Sequence, residues 1–83
     1  MNHFYILYSK SIDKFYIGHT SDDLDERIRR HNTNHNGFTG RANDWKLVYK
    51  EEFYQKSIAR KRETQVKSWK SRNKIQELIN KSQ

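Results

Sequence analysis

The sequence predicts an α+β fold: a three-stranded antiparallel sheet flanked by helices, in the order β-β-α-β-α-α. Three observations predict it. Two aromatic-aliphatic runs, HFYILYS at 3–9 and KFYIGHT at 14–20, are separated only by the polar tetrapeptide KSID, a spacing that favours a hairpin and antiparallel pairing. A third such run, WKLVYKEEFY at 45–54, lies well downstream. Between and after these runs, apolar residues recur at helical rather than alternating spacing.

Taken in order, the first run is apolar or aromatic on both faces, which suits a central strand. In the second, Phe15, Ile17 and His19 share one face and Tyr16, Gly18 and Thr20 the other. Ser21, Asp22 and Asp23 then offer an N-cap and negative charge to a helix that ends near Asn32. Its Leu24, Ile28 and His31 lie on one side. Residues 33–44 read as a loop with an Asn36-Gly37 turn signal. After the third strand, Ser57 is expected to cap a helix reaching Trp69 or Lys70. In it Ile58, Ala59, Val66 and Trp69 form an apolar arc roughly 100° wide, with Arg62 inside the arc and Glu63 just off its edge. KIQELIN at 74–80 is a short amphipathic last helix. No repeat or internal boundary interrupts residues 1–83, so a single domain is expected.

Composition narrows the function classes. The chain carries a net charge of +7 and a pI near 9.8, the footprint of a phosphate-binding surface. Eight of its Lys and Arg residues fall between Lys56 and Lys74, with Glu63 the one acid among them. There is no cysteine, which excludes disulfide staples and thiolate zinc sites. His31 and His35 have the spacing of zinc-finger histidines, but no second ligand pair accompanies them. No apolar run reaches membrane-spanning length and no signal-peptide core is present. A cytoplasmic protein that makes no membrane contact is the expectation, as a monomer.

Several residues could carry chemistry, and each also has a plain reading. Arg27 and His31 are one helical turn apart, which equally fits a surface arginine beside a half-buried histidine. Glu63 is placed either to pair with Arg60 or Lys67 or to hold a divalent metal against phosphate. Tyr5 and Tyr16 can share a sheet face, where buried tyrosines usually only pack. Basic surroundings would lower the Tyr5 pKa and make it a usable base.

Together these residues resemble the GIY-YIG endonuclease domain, in particular small standalone bacterial forms related to the nuclease module of the excinuclease C subunit. His3-Phe4-Tyr5 stands where that family has Gly-Ile-Tyr. Tyr16-Ile17-Gly18 follows eleven residues later, tyrosine to tyrosine. Arg27 and His31 in ERIRRH match the family's arginine and histidine, and Ala59 and Glu63 match its Ala-x-x-x-Glu helix. Asp23 is an extra residue, and Asp44 replaces a common proline. The resemblance implies a metal-dependent hydrolysis of phosphodiester bonds in DNA (RNA being the other candidate), structure-selective or weakly specific, in repair or recombination. It implies Tyr5, Tyr16, Arg27, His31 and Glu63 as catalytic, with Tyr5 as first choice of base. Glu63 would hold Mg²⁺ or Mn²⁺, and Gly18, Arg27, Lys67 and Asn73 would meet the substrate, Gly18 by leaving it room. A basic nucleic-acid-binding module without catalysis is the alternative.

Overall fold

The computed structural model describes residues 1–33 and 39–81. β1 (Asn2–Ser9), β2 (Lys14–Thr20) and β3 (Trp45–Phe53) form one antiparallel sheet in the order β2-β1-β3. α1 (Leu24–His31) follows β2, and α2 (Lys56–Ser68) and α3 (Arg72–Lys81) follow β3. This is the expected α+β order, with β1 central and β2 at an open edge. The expected Asn36-Gly37 turn and His35 lie outside the described residues.

The period of two along β1 divides the interior. Phe4 and Ile6 point to one face with Ile17 of β2, where Val66 of α2 and Ile79 of α3 cover them. Tyr5 and Leu7 point to the other, with Leu24 of α1 and Trp45. Both clusters are fully or nearly fully buried, which is why the first run needed no polar side.

Register follows from the hairpin: Tyr5 faces Gly18 and Leu7 faces Tyr16. On the other side the β1–β3 register shifts between Ile6 and Leu7, a bulge that keeps Val48 on the helix-covered face. Asp13 closes the hairpin with φ 53°, a left-handed conformation that Asp tolerates better than most residues. Its carboxylate accepts from Tyr8 Oη at 2.5 Å and from Arg72 at 2.6 Å. Asp44 also acts as a clamp. It accepts from Ser9 Oγ at 2.5 Å and from the Ser11 amide at 2.9 Å, tying the hairpin loop to the start of β3.

α1 is set at both ends. Asp23 is its N-cap, accepting from the Glu26 amide at 3.1 Å. Asn32 at its C-cap bonds both backbone groups of Trp45, at 2.7 and 3.0 Å. The extra Asp23 thus starts the helix, and Asn32 fixes where His31 sits relative to the sheet.

Some expectations need correction. Ser57 does not cap α2; Gln55 holds that position without a side-chain bond, and the helix ends through Lys70 in a left-handed conformation (φ 47°) where glycine is usual. α3 begins at Arg72 rather than Lys74, and a 3-10 turn, Thr39–Arg41, lies in the expected loop. Ile58, placed in the apolar arc, is 40% exposed. Arg62 belongs in the arc because Glu51 of β3 meets it: the guanidinium donates to both carboxylate oxygens at 2.9 and 3.1 Å and lies over the Phe4 and Trp69 rings.

Candidate functional site

The α1-covered face brings four of the expected residues together. Tyr5 is completely buried, and its Oη is 2.8 Å from His31 Nε2. Tyr16 lies beside them, its ring centroid 4.7 Å from that of His31 and 6.3 Å from that of Tyr5. Arg27 lies one turn before His31, and its charge is felt at the Tyr5 hydroxyl. Either the Tyr5 hydroxyl or His31 Nε2 is the donor of their bond, according to the His31 tautomer. Among the described residues, Arg27 Nε is one of two buried side-chain nitrogens or oxygens without a hydrogen-bond partner. The other is His3 Nδ1.

Gly18 is required by close approach. A Cβ there would lie 2.8 Å from Tyr5 Cζ and Oη and 3.0 Å from Tyr16 Cε2. The space that the sequence reserved for substrate is occupied by the Tyr5 ring.

The Tyr5 hydroxyl also departs from expectation. Burial pushes its pKa up to about 12, with the charges of Tyr16 and Glu63 adding to the rise, and Arg27 pulls it down by less. Nearby cations do not lower it, because desolvation of a phenolate at zero exposure outweighs them. Tyr5 is a phenol, held as one.

Glu63 reaches this group from the other side of the sheet. It projects from α2, and its Oε1 is 2.6 Å from His19 Nδ1 while its Oε2 accepts from Lys67 Nζ at 2.7 Å. Burial alone would raise its pKa, but the bonds from Lys67 and His19 outweigh that, and the carboxyl sits below its ordinary value. His19 directly follows Gly18 on β2 but points to the opposite face. β2 is an edge strand, and the Glu63 charge is felt at Tyr5. Lys67 touches the carboxylate and is 52% exposed. Asn73 is exposed in the first turn of α3. Its neighbour Arg72 is bonded to Asp13, six residues from His19 and therefore roughly 20 Å along the strand.

Sequence reasoning missed His19. The signal was available: it alternates with Phe15 and Ile17 on the face that α2 had to cover.

As for what the group can hold, no cluster of three or more His, Cys, Asp or Glu among the described residues could bind a metal. One ionised, part-exposed carboxylate remains, with a lone pair free on each oxygen. That donor set fits a hydrated Mg²⁺ or Mn²⁺, which keeps most of its waters, and does not fit a caged ion. No helix of the described residues is long and apolar enough to cross a membrane.

Compared with known proteins, residues 1–76 match the family model of the GIY-YIG catalytic domain. No match was found among curated proteins or among solved structures.

Proposed function

The chain belongs to the GIY-YIG catalytic domain family, a family of nucleases, and on that premise we propose that it is a metal-dependent DNA endonuclease. The observation that carries the reading is the orphaned Arg27 Nε, beside a tyrosine-histidine cluster at the open edge of the sheet. Arg27 as a whole is only half-buried, and its guanidinium fork matches phosphate oxygens.

In this reading Arg27 binds the scissile phosphate and neutralises charge that develops on it. Tyr16, only half-buried, would face the attacking water beside His31 and take its proton as the phenolate. Tyr5 is fully buried and does not meet water. It is a positioning residue, whose hydroxyl holds the His31 imidazole. Glu63 holds Mg²⁺ or Mn²⁺, which would supply Lewis-acid stabilisation of the phosphate and the leaving oxygen.

The substrate track follows from α2. Lys56, Arg60, Glu63 and Lys67 stand at i, i+4, i+7 and i+11, a single stripe along the helix. The three cations are exposed, and Tyr54, 91% exposed, precedes them. Such a stripe suits a phosphate backbone with a base stacked at one end. Contacts from such a stripe to the phosphate backbone carry no base sequence, which favours structure-selective or weakly specific cleavage, as in repair or recombination.

The test is incubation with nicked, flapped and branched DNA, and with RNA, in Mn²⁺. Cleavage by the wild type with at least a ~100-fold loss in Arg27→Ala and Glu63→Ala is expected. Equal products from all three proteins would mean a contaminant. The same stripe supports a second reading, binding without catalysis. It would be favoured by salt-dependent binding that Glu63→Ala leaves intact, with no product from any protein.

A further inference from the structure

The two oxygens of the Glu63 carboxylate are held by groups of different kinds. Oε1 meets the His19 imidazole at 2.6 Å, a short ring on an edge strand with 23% of its side chain exposed. Oε2 meets the Lys67 ammonium at 2.7 Å, at the end of a flexible four-carbon stem with 52% exposed. A carboxylate accepts and cannot donate, so His19 Nδ1 carries the proton of the first bond. The second bond is an i, i+4 helix pair of the weak, exchangeable sort.

Resting on the metal-dependent reading above, we propose that His19 is the positioning residue of Glu63 and that Lys67 is a stand-in cation that a divalent metal displaces. His19 keeps Oε1 fixed in both states, as hydrogen-bonded partners of metal-ligating groups do. Lys67 neutralises the carboxylate in the free protein. A divalent ion at Oε2 and the ammonium repel each other, so the ammonium moves away, and its exposed end is then free for a phosphate of the α2 stripe. The site thus carries its own charge compensation when empty of metal, and it hands a cation to the substrate as it loads.

The experiment measures Mn²⁺ binding by calorimetry and the His19 tautomer by nitrogen NMR, on the wild type and on His19→Ala, His19→Asn, His19→Gln, Lys67→Met and Glu63→Gln. In the metal-free wild type, Nδ1 is expected to be protonated. His19→Ala should weaken Mn²⁺ binding about tenfold or more. His19→Asn, whose amide nitrogen falls near Nδ1, should recover much of it; His19→Gln, whose nitrogen falls near Nε2, should not. Lys67→Met should bind Mn²⁺ severalfold more tightly. Circular dichroism confirms that each variant is folded, and the Asn–Gln contrast stands if His19→Ala is not. A bare Nδ1, equal Mn²⁺ affinity in wild type and the His19 variants, or weaker binding in Lys67→Met would each overturn this inference alone. Mn²⁺ affinity unaffected by Glu63→Gln, or absent from the wild type, would overturn the metal-dependent reading and the inference with it.

Discussion

Tyr5 and His31 are joined by a 2.8 Å hydrogen bond across the interface between the central strand and α1, so a fully buried hydroxyl of the sheet is also the support of the imidazole. The pKa of Tyr5 is pushed up to about 12 from an ordinary 10. Because the folded value is the higher one, the neutral phenol contributes stability in full below pH 10, and the contribution is lost as pH rises through 12. The difference is worth about 3 kcal/mol. Ultraviolet titration should show a tyrosine ionising near pH 12, and Tyr5→Phe should remove that late step.

Gly18→Ala is expected to destabilise the fold by about 1–3 kcal/mol, the usual cost of overpacking. The added methyl meets the Tyr5 ring at 2.8 Å, and that ring has no exposed direction in which to move. Thermal melting would show a fall of roughly 5–20 °C for a chain of this size. The double variant Gly18→Ala with Tyr5→Leu should recover part of it, whereas an unchanged melting temperature in Gly18→Ala would show that the two strands are not in this register.

The lowered Glu63 pKa has the opposite sign from that of Tyr5. The ionised carboxylate contributes stability above its ordinary value of 4.5, and the contribution disappears as pH falls through the lower folded value. Urea midpoints measured downward from pH 6 should fall less steeply in Glu63→Gln than in the wild type. Parallel curves would show that the bonds from His19 and Lys67 do not persist in solution.

The α2 stripe predicts how DNA binding depends on salt. Lys56→Gln and Arg60→Gln should each reduce the slope of log affinity against log salt by about 1, measured by fluorescence anisotropy. Lys81→Gln, at the far end of α3, should leave it unchanged. Slopes that respond equally to all three would indicate diffuse charge and not a track.

Arg62→Leu should cost about 1–2 kcal/mol, because it leaves Glu51 partly buried beside Phe4 without its guanidinium. Adding Glu51→Gln should restore most of the loss. A coupling energy near zero in the double-mutant cycle would assign Arg62 to packing alone.

Much of this arrangement was legible in the chain. The central place of β1 could be read from apolar residues on both of its faces, and the meeting of Tyr5 and Tyr16 from the four-residue loop between their strands. What could not be read depended on depth and docking. The rise of the Tyr5 pKa follows from zero exposure, whereas the sequence displays only neighbouring charges. The His19–Glu63 bond depends on how far α2 leans over the edge of β2, which local spacing does not encode. Arg62 looked misplaced until β3 supplied Glu51. The end of α2 was obscured because lysine, not glycine, takes the left-handed position at residue 70.

The filling of the Gly18 hollow by the Tyr5 ring has an evolutionary consequence. Residues of the candidate site that seal an interior are guarded by folding itself, while those along the rim are guarded only by use. In a library drifting under a screen for heat resistance, with no nucleic acid present, Tyr5, Gly18 and His31 would persist and Lys56, Arg60 and Lys67 would scatter. A descendant of this chain could lose its substrate long before it lost the look of a nuclease.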